Sequence, residues 1–140
     1  MNSPAPVLSA DIVLCIPFHD VDPARIVWHG HYAKYLEIAR GVLLDKIDYN
    51  YNQMSDSGYF WPVIDMQLRY IAPIRFQQEI RVTATLKEWE HRLRVDYLIS
   101  DVATGKRLTR ASTVQVAVNI ASGEMLLASP PVLLEKMHGY

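Results

Sequence analysis

A short segment of this sequence concentrates the side chains that could do chemistry. Residues 18–32 lie between an apolar stretch and an amphipathic one, and they carry two acids and three histidines. These are Asp20, Asp22, His19, His29 and His31. Carboxylates and imidazoles act as general acids and bases, and a carboxylate also acts as a nucleophile. We therefore predict that residues 18–32 form the active-site segment.

Two other interpretations of this segment follow from the residue types. Asp22 precedes a predicted turn into a helix, where aspartate commonly accepts hydrogen bonds from backbone N–H groups as a turn or capping residue. His29 and His31 suggest a metal site, but a His-x-His pair in a turn lacks the usual spacing of zinc ligands. We expect no metal, and the residue types alone do not decide between capping and catalysis for Asp22.

One long helix is predicted over residues 30–47, directly after this segment. Its apolar residues recur at spacings of three and four and form one stripe: Tyr32, Tyr35, Leu36, Ala39, Leu43 and Ile47. The other positions carry charges such as Lys34, and Glu37 and Arg40 are expected to pair weakly at the surface. Free N–H groups at the helix start would face the segment and could polarise a carbonyl group.

The rest of the chain has mainly strand patterns. Strands are predicted at residues 7–18, 63–71, 79–89, 92–101, 106–121 and 124–127, with short polar links that favour hairpins. Residues 80–87 and 113–120 alternate, so their apolar members (Ile80, Val82, Ala84, Leu86, Val114, Val116, Val118 and Ile120) are predicted to face a core. Residues 48–60 have turn composition and are predicted to be a loop, either an ordinary connection or a cover for a ligand. A short helix is predicted at residues 132–136. These elements predict an α+β fold with the sheet wrapped around the helix.

Length and composition favour a single domain, residues 1–140, with residues 1–6 as a flexible arm. Hydrophobic residues make up 50% of the chain, and 14 Lys and Arg balance 15 Asp and Glu, so nucleic acid is not an expected partner. No apolar run approaches the roughly 20 residues that span a bilayer, and residues 1–10 lack the features of a secretory signal. Cys15, the single cysteine, lies in an apolar run and is expected to be buried. We therefore expect a soluble, cytoplasmic protein without membrane insertion.

Two motifs carry a family resemblance. The first has the order Asp-x-Asp, a turn with proline, an aliphatic pair, His and Tyr, and it is formed here by Asp20, Asp22, Pro23, Ala24, Ile26, Val27, His29 and Tyr32. The second is residues 70–80, a strand followed by proline and then by another strand. Together they resemble the 4-hydroxybenzoyl-CoA thioesterase-like branch of the hotdog-fold superfamily over most of the chain. Arg25 departs from that pattern, because the family usually has glycine there.

The resemblance implies a hotdog fold, in which an antiparallel sheet wraps around one long central helix. It also implies an acyl-CoA thioesterase that hydrolyses acyl-CoA to a free acid and CoA. Asp22 would be the catalytic carboxylate, either as nucleophile or as general base, and His29 would supply the backbone N–H that binds the oxyanion. Asp20 would have a supporting role, because two adjacent carboxylates in one pocket resist simultaneous ionisation. Tyr32 would also have a supporting role.

The resemblance further implies the residues that bind substrate and an assembly of subunits. The implied substrate-binding residues are Arg25, Ile26, Val27, Trp28 and Asp65. Asp65 lies on the strand that would help to line the site of a partner subunit, although an ordinary exposed strand residue is the favoured interpretation. Arg25 would change only the turn, narrow the pocket or meet an anionic ligand. The expected assembly is a homodimer or a homotetramer built as a dimer of dimers, with acyl-CoA as substrate and no separate cofactor. Glu37 is an alternative catalytic acid, because another hotdog branch carries its acid on the central helix, but surface pairing with Arg40 is favoured.

Two further functions belong to other classes. One is a hotdog protein that binds acyl-CoA or acyl carrier protein thioesters without hydrolysing them, and Arg25 keeps this alternative open. The other is a hydratase or dehydratase, which would need a differently placed His with Asp or Glu and therefore ranks lowest.

Overall fold

The computed structural model describes residues 8–140, so the predicted arm at residues 1–6 and the predicted strand start at Val7 lie outside the described residues. The strands are β1 (Ser9–Cys15), β2 (Tyr59–Phe60), β3 (Val63–Tyr70), β4 (Glu79–Glu88), β5 (Leu93–Asp101), β6 (Arg107–Gln115) and β7 (Val118–Asn119). The helices are α1 (Tyr32–Asp45), α2 (Tyr51–Asp56) and α3 (Pro131–His138), and two short 3-10 turns cover Phe18–Asp20 and His29–His31.

Five strands form one antiparallel sheet in the order β1-β4-β5-β6-β3. One face of this sheet packs against α1, and we call it the inner face; the opposite face is the outer face. The inner residues of β4 follow the predicted alternation, since Ile80, Val82, Ala84 and Leu86 are all buried. The predicted α+β fold, with one long helix against an antiparallel sheet, is therefore confirmed.

The alternation predicted for residues 113–120 is confirmed only in part: Val114 and Val116 are buried, but Thr113 and Gln115, predicted on the polar face, are buried as well. On β6 the polar residues Thr109, Thr113 and Gln115 point to the inner face, because their partners on β5 are the buried Ile99, Val95 and Leu93. Ile120 is exposed, and the strand breaks after Gln115. Two of the buried polar side chains find partners: Thr113 shares a 2.7 Å hydrogen bond with the Tyr97 hydroxyl, and Gln115 Nε2 donates to the Trp61 carbonyl at 2.7 Å. These bonds stabilise polar groups at positions that face the core.

The apolar stripe of α1 is buried at every predicted position, from Tyr32 to Ile47. The helix is preceded by the 3-10 turn His29–His31 and ends at Asp45, two residues before the predicted end. The predicted surface pair of Glu37 and Arg40 is wrong. Arg40 is only 6% exposed and donates through Nη1 to the Tyr97 hydroxyl at 3.5 Å, while Glu37 is exposed. The cause is that Arg40 lies at the border of the stripe and points toward β5 rather than toward solvent.

Residues 48–60, predicted to be a loop, contain both α2 and β2. Asn50 caps α2, accepting from Tyr51 N at 2.7 Å while its own backbone N–H donates to the Gln53 side chain at 2.9 Å. This reciprocal capping box stabilises α2, which is too short to be stable through helix propensity alone. β2 pairs with β7 as a separate two-stranded sheet, and the strand predicted at 124–127 is reduced to a bridge between Met125 and Val118.

The prediction for Cys15 is also wrong, because its side chain is exposed. Alternation along the edge strand β1 places Leu14 inside and Cys15 on the outer face, where its thiol lies 3.8 Å from the Gln77 carbonyl. Within residues 8–140, no helix combines the length and the apolar composition needed to cross a membrane.

Candidate active site

A cavity of about 360 Å³ opens beside the start of α1. Its walls come from two segments that are distant in sequence. One is the predicted active-site segment, which contributes Asp22, Ile26, Val27, Trp28, His29 and Tyr32; the other is the end of β3 and the following turn, which contribute Tyr70, Ile71, Ala72 and Pro73. The structure therefore brings most of the predicted site residues together around one space.

Backbone hydrogen bonds hold the active-site segment against the connection between β3 and β4. Val27 N donates to the Ile74 carbonyl at 2.8 Å, and Phe76 N donates to the Arg25 carbonyl at 3.1 Å. Within the active-site segment itself, Trp28 N donates to the Asp20 carbonyl at 3.1 Å. This pairing explains why the second sequence motif accompanies the first: the two segments form a short antiparallel ladder that builds the cavity.

Asp22 occupies a tight turn at the edge of the cavity. Its Oδ1 accepts hydrogen bonds from Ala24 N at 2.8 Å and from Ile26 N at 3.5 Å. Its backbone carbonyl accepts from Arg25 N at 2.8 Å. Among residues 8–140, no donor reaches the other carboxylate oxygen within hydrogen-bond distance. The capping interpretation and the catalytic one are therefore compatible: one oxygen orients the carboxylate and the other remains free to react.

Arg25 has a backbone φ of 63°, in the left-handed region. That region disfavours residues with a Cβ and favours glycine, so arginine costs backbone energy here. The Arg25 side chain is exposed, and the residue is not part of the cavity wall. The turn geometry thus stays that of a glycine position while the side chain adds a cation near the site.

His29 begins the 3-10 turn that leads into α1. Within the described part of the chain, the backbone N–H groups of His29 and Gly30 have no acceptor, as expected for the first residues of a helix. The Trp28 indole packs so closely over Gly30 that a Cβ there would lie 2.1 Å from the ring. Gly30 therefore allows Trp28 to form the cavity wall next to these free donors.

Asp20 lies behind the cavity and connects the segment to α1. It is 1% exposed, and its carboxylate accepts hydrogen bonds from Lys34 Nζ at 2.7 Å and from the Tyr35 hydroxyl at 2.6 Å. Burial alone would raise the pKa of Asp20, but these two donors outweigh burial and lower it below its usual value. Asp20 is thus held as a carboxylate that positions the segment.

Tyr32 and Tyr70 form the aromatic wall of the cavity, with their rings edge to face at 4.8 Å. Burial raises the pKa of Tyr32 above its ordinary value, so this side chain is a neutral phenol at physiological pH. Tyr70 was not predicted as a site residue, nor were Ile71, Ala72 and Pro73. The signal that could have found them is the second motif, residues 70–80, which belongs to the same resemblance.

Asp65 does not line this cavity. Successive residues of β3 point to opposite faces, so Asp65 points away from the face of Tyr70, and it accepts from Gln67 Nε2 at 3.3 Å. Glu37 does not line the cavity either. Nowhere in residues 8–140 do three His, Cys, Asp or Glu side chains form a group suited to bind a metal ion.

Comparison with known proteins places this geometry in a family. The model of the thioesterase-like superfamily matches residues 16–137. A Synechocystis sp. protein that carries an esterase assignment is 29% identical over 128 residues, which cover 91% of this chain and 77% of the relative. The crystal structure of DHNA-CoA thioesterase from Staphylococcus aureus superimposes with a TM-score of 0.83 at 20% identity, covering 94% of this chain and 89% of that one. A mutant of 4-hydroxybenzoyl CoA thioesterase in complex with 4-hydroxybenzoyl CoA gives a TM-score of 0.79 at 18% identity, covering 92% and 98%. These similarities confirm the predicted hotdog fold.

Proposed function

The chain belongs to the thioesterase-like superfamily and is a thioester hydrolase, and we propose that it cleaves acyl-CoA to a free acid and CoA with Asp22 as the catalytic carboxylate. One observation carries the proposal. A carboxylate with a free oxygen and the start of α1, with unpaired N–H groups, border the same cavity. Thioester cleavage requires this combination of a base or nucleophile and an oxyanion donor.

In the proposed reaction the thioester carbonyl accepts a hydrogen bond from the His29 N–H, which stabilises the negative charge that develops on its oxygen. Asp22 then acts in one of two ways. As a general base, it takes a proton from water, whose oxygen attacks the acyl carbon and expels the CoA thiolate. As a nucleophile, its carboxylate attacks, a mixed anhydride forms, and water hydrolyses that anhydride. In both routes the thiolate takes up a proton, and no metal or organic cofactor is proposed.

The remaining predicted residues have roles in this scheme. Ile26, Val27, Trp28 and Tyr32 would contact the substrate as walls of the cavity. Asp20 would fix the segment through Lys34 and Tyr35. The exposed guanidinium of Arg25 would bind an anionic part of CoA, since arginine donates paired hydrogen bonds to phosphates. The proposed compartment is the cytoplasm, consistent with a single cysteine that cannot form an internal disulfide.

We further propose that the active form is a homodimer, or a dimer of dimers, joined along β3. This edge strand leaves one side of its backbone unpaired, and it exposes large apolar side chains at Val63, Ile64, Met66 and Tyr70. Such an edge invites pairing with a second strand. Because Tyr70 and the adjacent Ile71 also line the cavity, a second copy at this edge would complete the site. Asp65, which points away from its own cavity, would then be available to the partner.

The test is a free-thiol assay over short, long and aromatic acyl-CoAs, comparing the wild type with Asp22→Asn. Asp56→Asn, at an exposed carboxylate of α2, is the matched control. We expect thiol release by the wild type and the control, and a loss of about a hundredfold or more in Asp22→Asn, in the range of general acid–base catalysis. An Asp22→Asn variant as fast as the wild type would refute the assignment. After turnover in ¹⁸O-water, label in the Asp22 carboxylate would indicate an anhydride that water cleaves at the Asp22 carbonyl carbon, a result that general-base catalysis does not give.

The alternative is a hotdog protein that binds thioesters of CoA or of acyl carrier protein without cleaving them. The observation that favours it is Arg25, an arginine at a left-handed position next to the site. Calorimetric titration with a non-hydrolysable acyl-CoA analogue tests it together with the thiol assay. Saturable binding without thiol release from any substrate would favour this alternative.

A further inference from the structure

The outer face of the sheet carries a second concavity, of about 820 Å³, on the side opposite α1. Five cationic residues border it, and one acid: Lys87, Arg94, Arg107, Arg110, Arg69 and Asp96. The whole chain has a formal net charge of −1, so positive charge is strongly concentrated on this face. We call this surface the cationic concavity.

The strand register places like charges together in the cationic concavity. Arg69 on β3 is the direct cross-strand partner of Arg110 on β6. Like charges directly opposite each other in a sheet are destabilising. Among residues 8–140, only Arg94 of the five cations lies within 4.0 Å of a carboxylate, that of Asp96 at 3.3 Å. Residues 1–7 contain no acid that could neutralise the others. This face therefore keeps unpaired positive charge that the fold itself does not use.

We propose that the cationic concavity docks an acidic surface of a partner protein. Four strands, β4, β5, β6 and β3, spaced about 4.8 Å apart, make a twisted platform about 14 Å wide, which fits one helix about 10 Å across. Hydroxyl and amide side chains of Thr83, Thr85, Ser112 and Gln67 border the same surface and can bind the edges of such a helix. This inference does not depend on the proposed hydrolysis of acyl-CoA.

Two other occupants fit the surface less well. A nucleic acid strand or a free nucleotide would be expected to stack on aromatic side chains, but the one aromatic residue that borders the concavity, Tyr97, points its ring into the buried interior, where its hydroxyl contacts Thr113. A second copy of this chain stacked by the same face would bring two like-charged surfaces together, which electrostatic repulsion opposes.

The test uses a fluorescein-labelled Glu-rich helical peptide and fluorescence anisotropy. The test variant combines Arg69→Gln and Arg110→Gln. The control combines Arg92→Gln and Lys136→Gln, which remove the same charge from an exposed and a half-buried residue, paired elsewhere with Glu88 and Asp48. We expect saturable binding by the wild type and the control, weakened about tenfold or more in the test variant. Binding should also weaken when the ionic strength rises from about 0.05 M to about 0.3 M.

Three results would overturn the proposal. One is equal peptide affinity of the test variant and the control. Another is a changed oligomeric state of the test variant in analytical ultracentrifugation, which would make this face an interface between copies. The third is a raised KM for acyl-CoA with unchanged peptide binding, which would assign the face to the phosphates of CoA. Because the test variant removes a like-charge pair, we expect its Tm to equal or exceed that of the wild type, so misfolding would not imitate a loss of binding.

Discussion

The Asp20 carboxylate accepts a 2.6 Å hydrogen bond from the Tyr35 hydroxyl, and this contact ties the active-site segment to the first turn of α1. Lys34 adds a second bond at 2.7 Å from the same turn. The free N–H groups of His29 and Gly30 lie between the two connected parts. The position of Asp22 relative to the helix start therefore depends on Asp20, a buried residue that does not itself line the cavity.

Asp20→Asn should weaken this connection. The variant keeps the shape of the side chain but loses its charge and one accepting oxygen, so the Lys34 ammonium loses its counter-ion and the amide oxygen can accept from only one of the two donors. We expect the free energy of unfolding to fall by about 2 kcal/mol and kcat to fall with it. Urea denaturation and the thiol assay measure the two effects. Asp11→Asn is the control, since its ion pair with Arg81 is exposed on β1 and β4.

The same residue predicts how stability depends on pH. The pKa of Asp20 is lower in the folded protein than in the unfolded chain, so the folded state binds this proton more weakly. The resulting stabilisation is present above the unfolded pKa of 3.8 and is lost as pH falls through the lower folded value. Between pH 5 and pH 2 the wild type should therefore lose more unfolding free energy than Asp20→Asn. Parallel curves for the two proteins would contradict this account.

Gly30→Ala should impair the site while leaving the fold intact. The added Cβ would meet the Trp28 indole at 2.1 Å, so this exposed ring would have to move from its present position in the cavity wall. We expect kcat/KM to fall about tenfold or more, as for other displaced site residues, with little change in Tm. Gly41→Ala, within α1, is the control, because its Cβ would find its nearest atom at an ordinary 3.8 Å. Equal activity of the two variants would show that Trp28 has no role in the cavity.

Arg25→Gly should stabilise the protein and weaken substrate binding. Glycine relieves the left-handed backbone at φ 63°, which costs about 1 kcal/mol for a residue with a Cβ. Loss of the guanidinium should raise KM for acyl-CoA about tenfold, but not KM for a short thioester that lacks the nucleotide. Arg25→Ala separates the effects, because it removes the charge and keeps the backbone strain. A KM that rises equally for both substrates would exclude a contact with the CoA phosphates.

Ile64→Lys should prevent dimer formation along β3. Ile64 is 56% exposed at an irregularity of this edge strand, and a charge there opposes strand pairing. We expect a folded monomer in analytical ultracentrifugation with greatly reduced thioesterase activity. Val13→Lys, on the opposite edge strand β1, is the matched control and should behave as the wild type. A fully active monomer would refute a shared site.

The sequence by itself determined the features that depend on local spacing. The α1 stripe from Tyr32 to Ile47 and the alternation of Ile80 to Leu86 follow from the periods of a helix and a strand. The turn at Asp22 and the helix start near His29 follow from local backbone chemistry, and the family motif connects the turn with a reaction. These patterns were sufficient for the fold class and for one wall of the cavity.

Only the tertiary structure decided which face each remaining side chain meets. Pairing with β5 turned Thr113 and Gln115 inward, against the apolar pattern of their neighbours. Contact with the Tyr97 hydroxyl of β5 holds Arg40 in a buried position, and alternation along β3 sends Tyr70 to the cavity and Asp65 and Arg69 to the other face. The physical reason is that the direction of a side chain depends on the register with strands distant in sequence. A shift of one residue reverses that direction without changing the local pattern.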